Sequence, residues 1–377
     1  MNEKKFKDEK IKASMILGSY LDTLGFNNGI WEFNFNIKII KFNDALLINN
    51  EIIQNFFNLG GFNINISSWY ASDDTIMMIA TMKACLKGGK IDDFIKCYLD
   101  ILPILEEKRR ASGTTTLNSL NILKKYKTVK KIPYSSTMGG NGAAMRTSYI
   151  GIHFTDIENI IEISIQSSRL THNYPLGFLG GMVTALFTRY GLDNIEPWKW
   201  CDLLLELEKT VDRIVEKIGI PQYKKDKDEF WDIWKKYKEV RLSIFDQKTE
   251  EFKYSSQRFL NLIDILYTKK EIDNDKIQFD RFGGSGCSAV IIAYDSILMS
   301  IINKENGNNP LKLKDPSSYY YNWQSMIINS TLHFGDNDTI GAIAGCWYGA
   351  LRGFDGFDIK ILEQLEYKNE YKKLLKL

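Results

Sequence analysis

Apolar residues recur through most of the chain at the three- and four-residue spacing that is typical of helices. Residues 72–86 leave almost no polar face, which indicates a buried helix, whereas residues 91–108 indicate an amphipathic one. Only seven prolines interrupt the pattern, and no run indicates a parallel sheet. The spacing predicts one all-α domain with its functional groups in loops and at helix starts. Further helical or apolar segments are expected at 9–24, from 143, at 157–169, 176–190 and 289–302, and from about 338.

The last predicted helix carries glycine at every fourth position, which places these residues on one stripe. Each glycine costs about 1 kcal/mol relative to alanine inside a helix, so we expect a second helix to approach the stripe closely. The stripe consists of Gly341, Gly345, Gly349 and Gly353.

Two glycine-rich stretches, residues 135–142 and 283–286, cannot hold regular structure and are predicted loops. Residues 222–280 are rich in charged and aromatic residues. We interpret them as outer helices and loops within the single domain 1–377, and not as a second domain.

Two short acidic clusters each open an apolar helix. Residues 72–75 read SDDT and residues 336–339 read DNDT. The first cluster alone is explained equally well by a helix cap, because Ser72 suits the N-cap and carboxylates suit the positive end of a helix. The second cluster favours a metal site over a simple helix cap, because burying several carboxylates together is costly unless a cation shares the site.

The donors in both clusters are carboxylate and hydroxyl oxygens, which suit Mg²⁺, Mn²⁺ or Ca²⁺ and not Zn²⁺. The calcium loop of an EF-hand is excluded, because the glutamate required at its position twelve is missing. Six oxygen ligands are enough to hold two ions that orient a substrate and activate water. The predicted ligands are Ser72, Asp73, Asp74, Asp336, Asp338 and Thr339.

Other polar residues carry weaker signals. The loop 137–142 enters a helical segment and exposes backbone N–H groups that favour phosphate, although by itself it favours a plain turn. His153 and His333 are interpreted as structural residues, as single histidines more often are. Glu32 lies between aromatic residues, either as a base with a raised pKa or as an exposed residue on a strand-like segment, and the pattern alone favours exposure.

Composition narrows the class of protein. A net charge of +2 gives no electrostatic reason to expect a nucleic-acid or membrane partner. Five cysteines without CxxC spacing indicate neither a disulfide framework nor a zinc site. No signal peptide and no run of about 18 apolar residues is visible. We therefore expect a soluble, cytoplasmic protein that acts as a monomer.

Taken together, these motifs resemble the ADP-ribosylglycohydrolase family, and within it most closely the ADP-ribosylarginine hydrolases. The resemblance extends from about residue 10 to the C-terminal string LEYKNEY, and the SDDT and GDNDT pair is its most specific part. The matching strings, in order, are GSYLDTLG at 18–25, ASDDTIMMIAT at 71–81, GGNGAAMR at 139–146, THNYPLGFLGG at 171–181 and HFGDNDTIGAIAGCWYGALRGF at 333–354.

The resemblance implies an orthogonal helical bundle with two Mg²⁺ ions, or Mn²⁺ as an alternative, in a central cleft. The six predicted ligands match the metal ligands of the family. Glu32 matches a position where some relatives place a glutamate that acts as base or gate, and the implied catalytic residues are Asp74, Glu32 and Asp73. The implied substrate-binding residues are Thr137, Met138, Gly139, Gly140, Asn141, Gly142, His172, Ser285 and Gly286.

The chain departs from the family pattern at two places, of which only the second bears on the chemistry. Relatives carry a Gly-Asp-Ala-Leu-Gly string near the start, and here Leu21 replaces its first glycine. Relatives of the arginine type tend to carry Gly-His-Asp-Ala where this chain has Gly286, Cys287, Ser288 and Ala289. Ser288 has no charge to face a guanidinium, so arginine specificity is put in question.

The leading hypothesis is Mg²⁺-dependent hydrolysis of the N-glycosidic bond of ADP-ribosylated arginine in a protein or a small ADP-ribose conjugate. One alternative keeps the fold and changes the substrate to ADP-ribosylserine or O-acetyl-ADP-ribose. Another is a non-catalytic module that binds ADP-ribose, which the complete set of acidic residues argues against.

Overall fold

Helices form most of the regular structure, as the apolar spacing predicts. The computed structural model describes residues 3–32, 42–243, 255–267, 282–303 and 319–377. The α-helices are α1 Glu3–Phe26, α2 Phe42–Asn58, α3 Asp73–Lys87, α4 Ile91–Leu105, α5 Thr114–Tyr126, α6 Ser148–His153, α7 Ile157–Ser168, α8 Pro175–Leu192, α9 Trp200–Glu206, α10 Glu208–Ile218, α11 Tyr223–Asp226, α12 Asp228–Tyr237, α13 Ser255–Leu266, α14 Gly286–Met299, α15 Trp323–Thr331, α16 Asn337–Arg352 and α17 Lys368–Leu374.

Short elements complete the bundle. Two three-residue strands, β1 Ile301–Asn303 and β2 Tyr319–Tyr321, pair in antiparallel register with Ile301 opposite Tyr321. A π-helical turn, Lys238–Leu242, follows α12. Single 3₁₀ turns occur at Asn27–Gly29, Gly61–Asn63, Lys108–Arg110, Val129–Lys131, Ser136–Met138, Ala144–Arg146, Pro197–Lys199 and Ile359–Gln364. The all-α class is confirmed.

Helices α1 and α16 pack with their backbones in contact along the glycine stripe. A Cβ atom added at Gly345 would lie 2.5 Å from the carbonyl oxygen of Leu17, and one added at Gly341 would lie 2.8 Å from that of Leu21. The predicted close approach is confirmed for Gly341, Gly345 and Gly349. It is wrong for Gly353, whose φ of +64° ends the helix as its C-cap.

Several boundaries differ from the sequence pattern for local reasons. Ser285 caps α14 through its hydroxyl, so that helix begins at Gly286, before the predicted apolar segment. No continuous helix begins at Ala143, because one 3₁₀ turn, Ala144–Arg146, precedes α6. Gly88, with φ of +142°, ends α3 near the predicted position.

The predicted outer region 222–280 contains α11, α12 and α13, and its residues 244–254 and 268–280 lie outside the described parts. The inner face of α12 is aromatic and buried, and Trp234 contacts Phe187 and Tyr294 in the core.

A buried ion network holds this region to α14. Asp295 of α14 accepts hydrogen bonds from Arg241 Nε at 2.9 Å, Arg258 Nε at 2.6 Å and Tyr237 Oη at 2.9 Å. Asp295 and both arginines are fully buried. Arg258 also donates to the carbonyl oxygen of Asn329 at 3.2 Å, which ties the network to α15, the helix that precedes the second acidic cluster.

Within the described ranges, the structure contains no helix with the length and apolar character needed to cross a membrane.

Candidate metal centre and substrate cavity

Three helices bring one carboxylate each to a common point in the core. Asp22 comes from α1, Asp74 from the first turn of α3 and Asp338 from the first turn of α16. One carboxylate oxygen of each lies within 4.8 Å of the others, and all three side chains are buried. Gly25 permits this approach, because a Cβ there would lie 2.8 Å from the backbone nitrogen of Asp338.

Asp22 was not predicted as a site residue, although it is the only charged residue between Lys12 and Phe26 in an otherwise buried stretch of α1. Its Oδ1 accepts a hydrogen bond from Ser72 Oγ at 2.6 Å, and its Oδ2 accepts bonds from the backbone and hydroxyl of Thr75. A buried carboxylate on a core helix was the available signal. The hydroxyls of the first acidic cluster therefore orient a carboxylate that belongs to another helix.

The hydroxyl of Ser72 is hydrogen-bonded to two residues of the carboxylate cluster. Its hydroxyl donates to Asp22 and accepts the N–H of Asp74 at 3.1 Å, as expected of an N-cap. Its role as a metal ligand stays a prediction.

The first cluster leaves one oxygen unsatisfied. Asp74 Oδ2 is buried without a hydrogen-bond partner among the described residues, whereas the backbone N–H of Gly113 stabilises the charge on Asp73. A buried oxygen of this kind is costly unless a cation binds it.

The second cluster is fixed by its own backbone and by the first glycine-rich loop. Asp338 Oδ1 accepts the N–H of Thr339 at 2.8 Å, and Asp336 Oδ1 accepts the same N–H at 3.3 Å. Asn141 Nδ2 donates to Asp336 Oδ2 at 2.5 Å and to the carbonyl oxygen of Gly283 at 2.9 Å. Asn141 thus links both glycine-rich loops to the cluster.

Glu32 is buried, with 8% of its surface exposed, so the exposure favoured by the sequence pattern is wrong. The cause is a contact that the pattern cannot show: Asn337 Nδ2 donates to the carbonyl oxygen of Trp31 at 2.9 Å. This bond brings Glu32 into the wall of the acidic cavity, where its Oε2 has no hydrogen-bond partner among the described residues. Its sequence neighbour Phe33 lies outside the described residues.

Burial and mutual repulsion raise the pKa values of these carboxyl groups. Burial, together with the charge of Asp338, raises the pKa of Asp22 to about 7 and that of Asp73 to about 8. The same causes hold the pKa values of Glu32 and Asp74 well above their usual range. No lysine or arginine is among the described residues that line this cavity. The oxygen donors, the unpartnered Asp74 Oδ2 and the uncompensated charge fit a divalent cation.

Two adjoining cavities share a wall made by the glycine-rich loops. The acidic cavity has a volume of about 250 Å³ and the second cavity one of about 720 Å³, and Gly140 and Gly284 line both. The loops pair directly, because Asn141 N donates to Gly284 O at 3.1 Å and Gly286 N donates to Gly139 O at 3.0 Å.

The residues predicted to bind substrate divide between these cavities. Thr137, Gly139 and Ser285 line the larger one, whereas Asn141, Gly142 and His172 line the acidic one. Met138 and Gly286 line neither; Met138 is buried, and Gly286 packs against the backbone of α8.

His172 is held as a neutral ring. Its Nδ1 bonds the hydroxyl of Thr171 at 2.8 Å, and burial with the nearby charge of Arg146 lowers its pKa to about 3. The ring packs so closely against Gly142 that a Cβ there would lie 2.6 Å from it. His172 therefore serves the cavity by shape and hydrogen bonding, and not as a cation.

Residues 287 and 288, where the chain differs from the pattern of arginine-type relatives, lie in different surroundings. Cys287 is fully buried, whereas Ser288 lines the larger cavity. The hydroxyl of Ser288 accepts the N–H of Ser285 at 3.1 Å and completes a capping box for α14.

Other lining residues gave no signal in the sequence. Thr115 and Thr116 of α5 line the acidic cavity, and Tyr174, Tyr267 and Glu229 line the larger one. They come from four separate segments, which only the tertiary structure brings together.

Comparison of the chain with known proteins finds related sequences in one family. Residues 3–377 match the family model for ADP-ribosylglycohydrolases. ADP-ribosylhydrolase ARH1 of Dictyostelium discoideum is 32% identical, over 98% of this chain and 93% of that protein. An ADP-ribosyl glycohydrolase of Acanthamoeba polyphaga mimivirus is 31% identical, over 95% of this chain and 67% of that protein. ADP-ribosylhydrolase ARH3 of Xenopus tropicalis is 26% identical over 57% of this chain and 52% of its own length.

A solved structure supports the fold. An ADP-ribosylglycohydrolase-related protein complex shares the fold with a TM-score of 0.58 and 14% identity, over 98% of this chain and 97% of that chain. With a family match along nearly its whole length and a relative above 30% identity, the chain belongs to the ADP-ribosylglycohydrolase family.

Proposed function

We propose that the protein hydrolyses the N-glycosidic bond between ADP-ribose and an arginine side chain, with two Mg²⁺ ions in the acidic cavity. The observation that carries the proposal is the convergence of Asp22, Asp74 and Asp338 beside a second cavity large enough for a nucleotide. The strings NGIWEF, GCWYG and LEYKNEY, which resemble arginine-type relatives, support the choice of acceptor.

The proposed ligands are the carboxylates of both clusters and of Asp22, together with the hydroxyl groups of the two clusters. A bound divalent cation would make a water molecule more acidic and would stabilise charge that develops on the substrate. Asp22 is held by Ser72 and Thr75, and Asp336 by Asn141, so these two carboxylates are already oriented. The proposed ligands are Asp22, Ser72, Asp73, Asp74, Asp336, Asp338 and Thr339.

Glu32 is the better candidate for the general base. Its Oε2 is buried and unpartnered in the wall of the acidic cavity, and burial together with the charge of Asp338 holds its pKa well above the usual range. Asp74 is the alternative general base, but its carboxylate belongs to the same cluster as those of Asp22 and Asp338. Glu32 would take a proton from water as the water oxygen bonds to the anomeric carbon. The bond from that carbon to the guanidine nitrogen breaks with its electron pair on the nitrogen, which takes up the proton that Glu32 received from the water, so that Glu32 is regenerated.

The larger cavity suits the adenosine half of the substrate. Tyr174, Tyr267 and Leu176 give it an aromatic and apolar lining, on which a base packs favourably. The shared wall at Gly140 and Gly284 would hold the diphosphate between the two cavities, because such loops expose backbone N–H groups.

A second acceptor class follows from Ser288. Its hydroxyl is used to cap α14, so this position supplies no carboxylate for a guanidinium. ADP-ribosylserine or O-acetyl-ADP-ribose is therefore the alternative substrate on the same fold.

We also propose that the protein acts as an intracellular monomer on ADP-ribosylated proteins or small conjugates. Its five cysteines are all buried free thiols, which supports a reducing compartment.

The test is a side-by-side assay of arginine-linked, serine-linked and acetyl-ester ADP-ribose, with and without Mg²⁺. We expect free ADP-ribose from the arginine conjugate, only with Mg²⁺. The variant with Asp73→Ala and Asp338→Ala together serves as the inactive control, and full activity in that variant would refute the proposal. Faster release from the serine conjugate or the ester would transfer the proposal to the alternative substrate. Binding of ADP-ribose without turnover of any conjugate would favour a binding module.

A further inference from the structure

The C-terminal part of the chain returns to the segment that introduces the first acidic cluster. Glu366 Oε2 accepts the N–H of Ala71 at 3.1 Å, and the two carboxylate oxygens accept Arg110 Nη1 and Nη2 at 2.7 and 2.8 Å. Arg110 Nη1 also donates to the carbonyl oxygen of Ala71 at 2.9 Å. One ion pair thus holds both backbone polar groups of Ala71, and we name it the Arg110–Glu366 clamp.

The clamp sits where two walls of the acidic cavity begin. Ala71 directly precedes Ser72, the N-cap of α3, and therefore sets the start of the helix that carries Asp73 and Asp74. Arg110 lies three residues before Gly113, which lines the acidic cavity. A shift of the clamp would move both segments together.

The clamp is built for rigidity. The side chain of Arg110 is 2% exposed and that of Glu366 is 28% exposed, so water screens the pair only partly. The two parallel hydrogen bonds of a guanidinium and a carboxylate fix orientation as well as distance. Tyr367 adds an aromatic ring 5.9 Å from the guanidinium carbon.

Neighbouring residues of the C-terminal segment continue the contact. Gln364 Oε1 accepts the N–H of Ile66 at 3.0 Å, and Tyr371 shares a hydrogen bond with Ser19, three residues before Asp22 on α1. The segment therefore touches both helices that carry Asp22 and Asp74, although it contributes no residue to the cavity lining.

We propose that Arg110 and Glu366 are positioning residues for the metal centre: the clamp fixes the start of α3 so that its carboxylates meet Asp22 and Asp338 in a geometry that binds a divalent cation. The inference rests on the proposed function, because it requires a cation in the acidic cavity. Supporting residues of this kind matter because a functional site tolerates displacements of only about 0.5 Å.

The test is the affinity of the full-length protein for Mn²⁺, measured from the electron paramagnetic resonance signal of free Mn²⁺ without any nucleotide. Glu366→Gln keeps the shape of the side chain but removes the bidentate ion pair, and we expect at least tenfold weaker binding. Glu370→Gln is the matched control. It removes the same charge from the same segment, but Glu370 contacts Lys83, on the part of α3 remote from the cluster, at 3.3 Å. We expect its Mn²⁺ affinity to stay within twofold of wild type.

Arg110→Gln separates positioning from through-space electrostatics. Removing a positive charge near the cavity would tighten Mn²⁺ binding if charge alone mattered, whereas loss of the clamp weakens it by tenfold or more. Tighter binding in this variant would overturn the inference, as would wild-type affinity in Glu366→Gln or equal weakening in Glu370→Gln. Circular dichroism checks folding, and if Glu366→Gln does not fold, Arg110→Lys, which keeps the charge without the fork, is used in its place.

The outcomes distinguish the two proposals. A wild-type protein that binds no Mn²⁺ overturns the proposed metal centre and the clamp together. A wild-type protein that binds Mn²⁺ and releases ADP-ribose, with a Glu366→Gln variant that binds equally well, overturns the clamp alone.

Discussion

The protein has two sites with buried aspartates, one with a single aspartate and one with three, and the pKa values at the two sites are shifted in opposite directions. Asp295 lies between Arg241 and Arg258, and although burial alone would raise its pKa, the two guanidinium groups hold it below the usual range. Asp22, Asp74 and Asp338 are also buried, but no lysine or arginine is among the described residues that line their cavity, and their pKa values are raised. The charge of the first site is compensated by protein groups, whereas the charge of the second would be compensated by the cation proposed above. Compensation, and not burial, distinguishes a structural carboxylate from a functional one.

The same substitution at both sites gives the sharpest contrast, and the larger effect is expected at Asp295. Asp295→Asn leaves two buried guanidinium groups without a counter-charge, which we expect to cost about 3–5 kcal/mol in the free energy of unfolding. Urea denaturation followed by circular dichroism measures this loss. Unchanged stability would show that the network contributes nothing to the fold.

Asp338→Asn should change stability in the opposite direction and abolish function. Without a metal ion, removing one of three repelling carboxylates stabilises the protein. Even residues that only support metal ligands change activity by roughly 10- to 100-fold, so loss of Asp338 should lower the rate of ADP-ribose release by at least about 100-fold. The hydrolysis assay and a melting curve in EDTA test both halves. Destabilisation in EDTA would place Asp338 in the same class as Asp295.

The next largest effect is expected from a change in the packing of α1 against α16. Gly345→Ala inserts a methyl group 2.5 Å from the carbonyl oxygen of Leu17, so the helices must separate. We expect a loss of about 1–3 kcal/mol in stability, with weaker Mn²⁺ binding because Asp22 and Asp338 move apart. Gly113→Ala is the control for stability alone, since no described residue lies within 4 Å of its added Cβ. Equal stability of the two variants would contradict the close approach.

The smallest effect concerns pH. Carboxyl groups whose pKa is raised in the folded state bind protons that the unfolded chain has already released, so their contribution to stability is lost as pH rises through the folded values. With Asp22 at about 7 and Asp73 at about 8, the melting temperature of the metal-free protein should fall by a few degrees between pH 6.5 and 8.5. His172 and His333, with pKa values lowered to about 3 by burial, are already neutral in the folded state throughout this range.

Saturating Mg²⁺ should remove this pH dependence, because the ion replaces the protons. A melting temperature that rises with pH in EDTA would contradict the raised pKa values.

Much of the fold was accessible from the sequence, because long apolar periodicity reports helices directly. The acidic clusters were recognisable, since each stands at a helix start and the chemistry repeats. Asp22 was missed because the apolar spacing of α1 predicts a core helix, and a single carboxylate within it does not show which other helices it meets. Glu32 was misjudged because its burial depends on the bond from Asn337 to Trp31, which are 306 residues apart along the chain. Long-range contacts of this kind leave no trace in a local window.

The packing of α1 against α16 along the glycine stripe also determines the stage of folding at which the acidic site is assembled. The bond from Asn337 to Trp31 and the meeting of Asp22 with Asp338 close a loop that spans most of the chain. Contacts between such distant segments form late in folding, because a large loss of chain entropy precedes them. During synthesis, a growing chain that lacks residue 338 holds only part of the carboxylate set. Cation binding would therefore report that α1 has packed against α16.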